Sequence, residues 1–271
     1  MPELPEVETT LRGIEPFILN KKISCIEVRK SKLRWPIPSK ILEKNLLKES
    51  FTSIHRRGKY LILKSKNGYL LIHLGMSGYL KALDYETHIQ KHDHFDIKFE
   101  DNSLLRFNDQ RRFGSILWTK SPESHPLLIN LGPEPLGNNF SGEYLHQASR
   151  KRQVNIKNFI MNSKIVVGVG NIYANEALFI SKIKPMKKAG TINLSMYQDL
   201  ANSIKTILRQ AIDDGGTTLK DFRGADNKPG YFKQHLQVYG RGGEKCLTCK
   251  SILKDIRLSN RSSVYCAKCQ K

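Results

Sequence analysis

The sequence predicts an α+β chain of more than one domain, with a β-sandwich behind a leading helix, then a helical region, then a cysteine-bearing hairpin. Three observations support this fold class. Apolar residues alternate along short segments separated by turn signals between residues 59 and 118. Apolar residues recur at helical spacing after residue 142, and four cysteines form two Cys-x2-Cys pairs close to residue 271. A length of 271 residues is sufficient for two domains that each bury a core.

The leading helix is predicted over residues 5 to 19, because Val7, Leu11, Ile14 and Ile18 recur at helical spacing. Proline and carboxylates suit the first turn of a helix, which explains the sequence PEVE from residue 5. Pro2 and Glu3 then lie just outside the positive end of this helix.

The strands follow as a meander. The stretch KYLILKSKNGYLLIHLGMSG predicts two strands about an Asn67-Gly68 turn. The stretch HFDIKFEDNSLLRFNDQRRFGSILW continues the sheet, with a turn at Asp101-Asn102. The first half is therefore predicted to be mostly antiparallel sheet.

A change of composition marks the boundary between the halves. Residues 131 to 142, LGPEPLGNNFSG, concentrate proline, glycine and asparagine, and no strand pattern follows them. Helical periodicity follows in EYLHQASRKRQVNIKNFIM, NIYANEALFISKI and SMYQDLANSIKTILRQAI. We therefore expect an N-terminal domain over residues 1–130, a linker over 131–145, a helical domain over 146–230 and a terminal metal-binding unit over 231–271.

The charge balance predicts the class of partner. There are 45 lysines and arginines against 25 acidic residues, a formal net charge of +20, spread along the chain. Such an excess is typical of nucleic-acid binders, although a highly charged surface or binding to acidic partners of another kind gives the same signal. No run approaches the roughly 18 to 20 apolar residues of a membrane span, and the first residues lack the features of a signal peptide. We expect an intracellular protein without a membrane partner.

The cysteine spacing predicts a zinc site. Cys246 and Cys249 form one Cys-x2-Cys pair, and Cys266 and Cys269 form the second, with 16 residues between the pairs. Two such pairs match a tetrahedral zinc site, and a disulfide framework would be unusual in a reducing compartment. Between them DIRLSNRSSVY predicts a hairpin with Arg261 near its turn, where it suits a phosphate or a groove. The alternative for Arg261 is a solvated surface arginine.

A glycine-rich turn before a predicted helix indicates a nucleic-acid contact. In KIVVGVGNIYANEALF, Gly168 and Gly170 permit unusual backbone conformations and Asn171 is predicted to cap the next helix, whose start would suit a phosphate. A capped helical hairpin without a ligand is the alternative.

Met76 in GMSG and Arg111 and Phe113 in NDQRRFG lie on predicted loop tips. An apolar side chain there can wedge into a base stack or fold back on the core. His92 and His94 in KHDHF could suggest a metal pair, but one strand start supplies too few ligands. Polar contacts, or a phosphate contact from His92, are favoured instead.

Removal of Met1 would leave Pro2 with a free secondary amine, which can attack an electrophilic carbon and form an iminium. Glu3, one residue away, is positioned to shuttle protons if it is partly desolvated. An ordinary trimmed terminus is the alternative.

Together these motifs resemble the formamidopyrimidine-DNA glycosylase family of bacterial oxidised-purine repair enzymes. The matching stretches run in order along the chain: PELPEVE, RRGKYL, IHLGMSG, KHDH, RRFG, LGPEPL, VVGVGNIYANE, GGTTLKDF, PGYFKQHLQVYGR and the four-cysteine finger. The resemblance implies an N-terminal β-sandwich, a helix-two-turn-helix unit and a zinc finger, with damaged duplex DNA held between domains. It also implies a monomer with one structural zinc ion and no organic cofactor, associated with the nucleoid.

The resemblance further implies residue roles. Pro2 would attack C1′ of the damaged nucleotide, Glu3 would assist base departure, and Lys59 and Arg261 would donate protons in β- and δ-elimination. DNA contacts would come from Lys59, His92, Arg111, Arg152, Asn171 and Arg261. The space of the extruded base would be filled by Met76, Arg111 and Phe113, with Arg111 facing the orphaned cytosine. The loop over residues 217 to 229 would close over the flipped base.

Two departures from the family pattern are present. Gln110 replaces the usual proline before the RRFG motif, and Asn158 and Asn162 replace the usual proline and aspartate. These changes bear on lesion preference and rate. Two alternatives remain: the endonuclease VIII branch, which removes oxidised pyrimidines but usually begins PEGPE and lacks RRFG, and a non-catalytic zinc-finger DNA-binding protein.

Overall fold

The computed structural model describes residues 2–217 and 231–271. The chain forms two compact units. The first consists of residues 1–129 and 214–231, and the second of residues 130–213 and 232–271. The four-part division drawn from the sequence stays a prediction.

The first unit contains the predicted β-sandwich. One four-stranded antiparallel sheet has the spatial order β1-β6-β7-β5, formed by Ile23–Val28, Asp93–Phe99, Ser103–Asn108 and Tyr79–Asp84. The other has the order β2-β3-β4-β8, formed by Phe51–Arg57, Tyr60–Ser65, Gly68–His73 and Ser115–Thr119. Apolar side chains of both sheets belong to one buried cluster.

Helix α1, Leu4–Ile18, closes this core, and α2, Ser39–Leu46, packs on β1. The side chains that predicted α1, from Val7 to Ile18, are the ones it buries against the sheets. The amphipathic pattern therefore gives both the helix and the face that packs.

The predicted β3–β4 turn is displaced by one residue. Ser65 pairs with Gly68, so the two turn residues are Lys66 and Asn67 rather than Asn67 and Gly68. Gly68 begins β4 with φ +148°, and a Cβ there would lie 2.8 Å from the carbonyl oxygen of Thr119. The glycine is thus required by the close approach of β8.

The second unit is helical, as expected. Its helices are α3, Gly142–Ser149; α4, Ile156–Ile160; α5, Asn171–Ile180; and α6, Leu194–Asp213. Strands β9, Lys254–Leu258, and β10, Arg261–Tyr265, form the C-terminal hairpin. Within the two described ranges, no helix has the length and apolar character needed to cross a bilayer.

Candidate active site

The N-terminal residues are buried in the first unit. Pro2 is buried and Glu3 is 1% exposed. Glu3 and Glu6 form a capping box at the start of α1, in which the Glu3 N–H donates to Glu6 Oε2 at 2.8 Å. The other oxygen of Glu6 accepts the N–H of Thr217 at 2.8 Å. The backbone that carries Pro2 and Glu3 is therefore fixed in a desolvated place.

Lys59 lies in the two-residue turn between β2 and β3, where Gly58 has φ +57°. Arg56 ties this turn to α1: its Nε pairs with Glu8 Oε2 at 2.9 Å, and its Nη1 donates to the Gly58 carbonyl at 3.0 Å. The turn with Lys59 is thereby anchored to the helix whose first turn carries Glu3. Sequence reasoning did not assign a role to Arg56, although it belongs to the RRGKYL motif.

His73, at the end of β4, is a second residue that sequence reasoning missed. It pairs with Tyr60 on β3 and with Ser115 on β8, and its ring lies 4.7 Å from the Tyr60 ring. Its Nδ1 accepts the N–H of Gly75 at 3.0 Å. Burial, and to a smaller extent the positive charges of Lys59 and Arg34, lower the pKa of His73 to about 4.

Because His73 is neutral, its Nδ1 keeps the lone pair that accepts from Gly75. This imidazole thus joins three elements of the site: the Lys59 turn, the Met76 turn and the start of β8 that follows the RRFG motif.

Met76 is on an exposed turn, with 36% of its side chain accessible. Gly75, just before it, has φ +66°, and a Cβ there would lie 2.4 Å from the nitrogen of Gly114. The Met76 turn therefore packs directly on the loop that carries the RRFG motif. Only glycine fits this contact, since an added side chain would clash with backbone.

The RRFG motif belongs to a loop, residues 109–114, that we call the wedge loop. The carboxylate of Asp109 is fully buried and accepts Ser77 Oγ–H at 2.7 Å, the Arg111 N–H at 3.2 Å and the Gly114 N–H at 2.7 Å. These bonds fix the loop, although Gln110 replaces the rigid proline.

Two exposed side chains project from the wedge loop. Phe113 is 43% exposed, and the Arg111 guanidinium lies 4.9 Å from the centre of its ring. This stacked pair presents both a cation and an apolar face at the loop tip.

His92 is half-buried beside the wedge loop. Its carbonyl accepts the Asp109 N–H at 3.0 Å, and its ring lies 6.3 Å from the His94 ring. His94 is buried and hydrogen-bonds through Nε2 to the Asp109 carbonyl, at 2.9 Å. The two histidines therefore support the loop rather than form a metal pair.

Asn171 is in the second unit, at the first residue of α5. The expectation that its side chain caps this helix is wrong: the N-cap is Gly170, which is extended, and no side-chain cap bond is present. Gly168, with φ +82°, sets the turn that leads into Gly170. The Asn171 Oδ1 is buried without a hydrogen-bond partner among the described residues. Its carboxamide is thus not used to close the helix.

Arg261 is exposed at the start of β10, directly after a tight turn at Ser259 and Asn260, whose φ values are +46° and +62°. The fully buried Lys157 of α4 holds β10 in place. Its Nζ donates to the Ser262 carbonyl at 2.6 Å and to Ser263 Oγ at 2.7 Å.

Helix α5 also holds the hairpin, because Asn175 Oδ1 accepts the Val264 N–H at 2.9 Å. Asn158 adds a bond from its amide to Ser259 Oγ at 2.6 Å. One of the two departures from the family pattern is therefore a direct contact to the turn beside Arg261.

Arg152 is exposed after α3, and its carbonyl accepts the Gly190 N–H at 3.0 Å.

The four cysteines of the hairpin converge on one point. The Sγ atoms of Cys246, Cys249, Cys266 and Cys269 all lie within 4.8 Å of one another, and none forms a disulfide. Four sulfurs bound to zinc at about 2.3 Å lie about 3.8 Å apart, so this cluster fits one tetrahedral zinc ion. Within the described ranges this is the sole group of three or more potential ligands that meets this geometry.

The predicted site residues divide between the units. The first unit carries Pro2, Glu3, Lys59, Met76, His92, Arg111 and Phe113, and the second carries Arg152, Asn171, Arg261 and the zinc ligands. The capping box, Arg56, His73 and Asp109 connect the elements that bear the first set. The predicted capping loop over residues 217 to 229 lies, after Thr217, outside the described residues.

Three family models match consecutive parts of the chain. The formamidopyrimidine-DNA glycosylase N-terminal domain matches residues 1–116, and its H2TH domain matches residues 131–223. A zinc finger found in FPG and IleRS matches residues 243–271, which contain the four cysteines. The zinc finger is thus identified both by its family and by the sulfur geometry.

Relatives that match over the whole length of the chain agree with the family models. The chain is 54% identical over 272 residues to a formamidopyrimidine-DNA glycosylase from Cellvibrio japonicus and 51% identical over 271 residues to one from Stutzerimonas stutzeri, with 100% of each chain covered. Its structure is similar to that of MutM in complex with DNA containing carbocyclic 8-oxo-G, with a TM-score of 0.92, 34% identity and full coverage of both chains. It is equally similar, at 33% identity, to wild-type Lactococcus lactis Fpg bound to DNA with an N7-benzyl-Fapy-dG lesion. The chain belongs to the formamidopyrimidine-DNA glycosylase family.

Proposed function

We propose that this chain is a bifunctional DNA glycosylase and AP lyase of base excision repair, which removes 8-oxoguanine and formamidopyrimidines from duplex DNA. The observation that carries the proposal is the buried Pro2–Glu3 pair at the capped start of α1. The relatives described above are formamidopyrimidine-DNA glycosylases, and the similar structures hold DNA with oxidised or ring-opened guanine.

The reaction requires a nucleophile, an acid and an extruded nucleotide. C1′ is inaccessible in a stacked duplex, so the damaged nucleotide must rotate out, at a cost of a few kcal/mol. Met76, Arg111 and Phe113 fill the gap that it leaves, because their side chains are exposed on two loops that support each other. Arg111 then faces the unpaired cytosine.

The covalent step uses Pro2. Its imino nitrogen, free after removal of Met1, attacks C1′; the N-glycosidic electron pair leaves with the base, which takes a proton. Glu3 supplies protons for sugar-ring opening and base departure. The nitrogen then loses its proton and its electron pair displaces O4′, which takes a proton as the sugar ring opens, so that nitrogen and C1′ form an iminium. Loss of a C2′ proton expels the 3′ phosphate, and loss of a C4′ proton then expels the 5′ phosphate.

Lys59 and Arg261 serve the eliminations as proton donors and phosphate contacts. Phosphates are also bound by Asn171, His92 and Arg152. The zinc ion, held by the four cysteines, supplies structure rather than reaction chemistry, because it folds the short hairpin that presents Arg261. The protein acts as a monomer on damaged duplex DNA, and we place it with the nucleoid through that binding.

Borohydride tests the proposal, because it reduces an iminium to a stable adduct. The substrate is duplex DNA with one 8-oxoguanine opposite cytosine. We expect a covalent enzyme–DNA species and base release, and weaker activity on the same duplex carrying oxidised thymine. Preferential action on oxidised thymine would support the endonuclease VIII reading instead. Tight binding without any adduct, from zinc-loaded protein, would support the non-catalytic reading.

A further inference from the structure

Two neighbouring cavities lie beside the wedge loop in the first unit. Each has a volume of about 450 Å³, and both are lined by Lys30 and Arg112. The first is completed by residues that include Lys91 and His92, and the second by residues that include Lys32 and Arg111. The connection from β1 to α2, which carries Lys30 and Lys32, therefore lines the same two cavities as the wedge loop.

The cations of this surface are not neutralised. Lys30, Lys32, Lys91 and Arg112 are exposed, and no ion pair in the described ranges involves them. We call these four residues the basic patch. The carboxylate among the cavity residues is Asp93, which is 6% exposed and accepts the Gln90 N–H and the Asn108 amide, both at 2.7 Å.

The nearby Arg29 differs from the patch. Its guanidinium pairs with Glu27 at 2.9 Å and with Asp96 at 2.6 Å, and its Nε donates to the Asp93 carbonyl. Arg29 is thus part of the scaffold, while the four residues of the basic patch project charge into the two cavities.

Backbone contacts fix the surface under the patch. The N–H groups of Arg29 and Lys30 donate to the His94 carbonyl at 3.0 and 3.3 Å, and the Arg34 N–H donates to the Gly114 carbonyl at 3.1 Å. These bonds tie the β1–α2 connection to the wedge loop and its support. Arg112 itself has φ +57°, a conformation that costs a non-glycine residue energy and is found at binding sites more often than elsewhere.

We propose that the basic patch binds backbone phosphodiesters of the duplex, through Lys30 and Lys32 on the β1–α2 connection as well as through the wedge loop. The inference rests on the proposed function, since the wedge loop enters the duplex at the lesion and the cavities then meet the backbone within a few nucleotides. It extends the DNA contacts to a segment that neither the sequence motifs nor the expected site residues include. The strand that supplies the phosphates is decided by the second experiment below.

The first experiment measures the salt dependence of binding. The ligand is a duplex with a tetrahydrofuran abasic analogue, which the enzyme binds without cleaving. Each phosphate contact contributes about 0.9 to the slope of log Kd against log salt. The double variant Lys30→Gln/Lys32→Gln is expected to lower this slope by about 1.8 and to weaken binding roughly tenfold at 0.15 M salt.

The matched control is Lys44→Gln/Lys66→Gln, which removes the same charge from two exposed lysines that line neither cavity. We expect its slope to equal that of the wild type. Equal slopes for the two double variants would overturn the proposal, because the effect would then be one of net charge alone.

The second experiment replaces single phosphates by neutral methylphosphonates, in the lesion strand and in the complementary strand separately. At one or two positions the replacement should weaken binding by the wild type several-fold and leave binding by Lys30→Gln/Lys32→Gln unchanged. The strand that contains those positions is the source of the phosphates. Identical profiles for the two proteins in both strands would overturn the proposal. Borohydride trapping by the wild type reports on the proposed function separately, because it requires neither variant.

Discussion

At the scale of single residues, His73 connects separate segments of the candidate site through one imidazole ring. Its neutral ring accepts the Gly75 N–H and packs on Tyr60, next to Lys59. A protonated imidazole has no lone pair at Nδ1 and would lose the Gly75 bond. The low pKa of His73, about 4, therefore preserves the turn that presents Met76.

Replacement of His73 tests this positioning role. In His73→Phe the Gly75 N–H loses its acceptor, which costs about 1 to 3 kcal/mol if the group stays buried. We expect slower base excision and weaker discrimination of the base opposite the lesion, since the Met76 turn is no longer fixed. His73→Asn, whose Oδ1 can accept the same bond, should restore much of both. Equal impairment in the two variants would show that ring packing, not the hydrogen bond, is what matters.

The pKa of His73 also predicts a pH dependence of stability. Above pH 6.5 the imidazole is neutral in the folded and unfolded chains. Between pH 6.5 and about 4 the unfolded chain binds a proton that the folded chain does not, so stability falls as the pH falls. Below that window both states are protonated and the effect levels off.

Urea unfolding of the wild type and His73→Asn from pH 7.5 to 4 measures this effect. As the pH falls through the window, the free energy of unfolding of the wild type should decrease relative to that of His73→Asn by up to about 1.4 kcal/mol per pH unit. A constant difference across this range would mean that His73 titrates normally in the folded protein.

At the scale of elements, the hairpin between β2 and β3 is fixed to α1 by Arg56. Glu8 pairs with two arginines: Arg56, whose side chain is 10% exposed, and Arg12, whose side chain is 58% exposed. Only the Arg56 side chain also reaches the Gly58 carbonyl in the Lys59 turn. The two pairs therefore provide a comparison within one helix.

Arg56→Met should slow strand cleavage at a preformed abasic site, because the Lys59 turn loses its anchor to α1 and Glu8 loses a desolvated partner. Arg12→Met should change stability by about 0.5 kcal/mol or less and leave cleavage unaffected, as is usual for exposed pairs one helical turn apart. Single-turnover gel assays give the rates. A normal cleavage rate in folded Arg56→Met would contradict the role assigned to this anchor.

The C-terminal hairpin is the second element with a separable role. Its strands have five residues each, too few to form a core of their own. Chelation of zinc should therefore release Arg261 from its position and weaken binding to a tetrahydrofuran duplex at least tenfold. The β-sandwich core contains no zinc ligand and should stay folded.

Zinc release, DNA affinity and circular dichroism are measured on the same samples. Cys249→Ser should reproduce the loss, whereas Cys25→Ser, on β1, should not. Full DNA affinity after complete loss of zinc would contradict a structural role for the metal.

At the scale of the whole molecule, the sequence predicted what periodicity, spacing and motif order encode. The stripe from Val7 to Ile18 gave α1, and the spacing of four cysteines gave the zinc site. The sequence did not predict that Gly68 serves the contact with β8 rather than the turn, or that Gly170 rather than Asn171 caps α5. Those outcomes depend on which strand or helix lies alongside, and local pattern carries no information about such neighbours.

The same limit explains the missed residues. Arg56, His73 and Asp109 act by joining segments that are distant in sequence, such as Ser77 with Asp109 and Glu8 with Arg56. Their roles become visible only when hydrogen bonds between those segments are known. The net charge of +20, in contrast, needs no structure to predict that DNA binding weakens steeply with salt.

The most direct measurement is peptide mapping of the borohydride-reduced enzyme–DNA adduct by tandem mass spectrometry. We predict that the sugar remnant is attached to the nitrogen of Pro2, on a peptide that lacks Met1, and that Pro2→Gly forms much less adduct. A remnant on Lys59 or another lysine, or full excision activity by protein that retains Met1, would contradict the account.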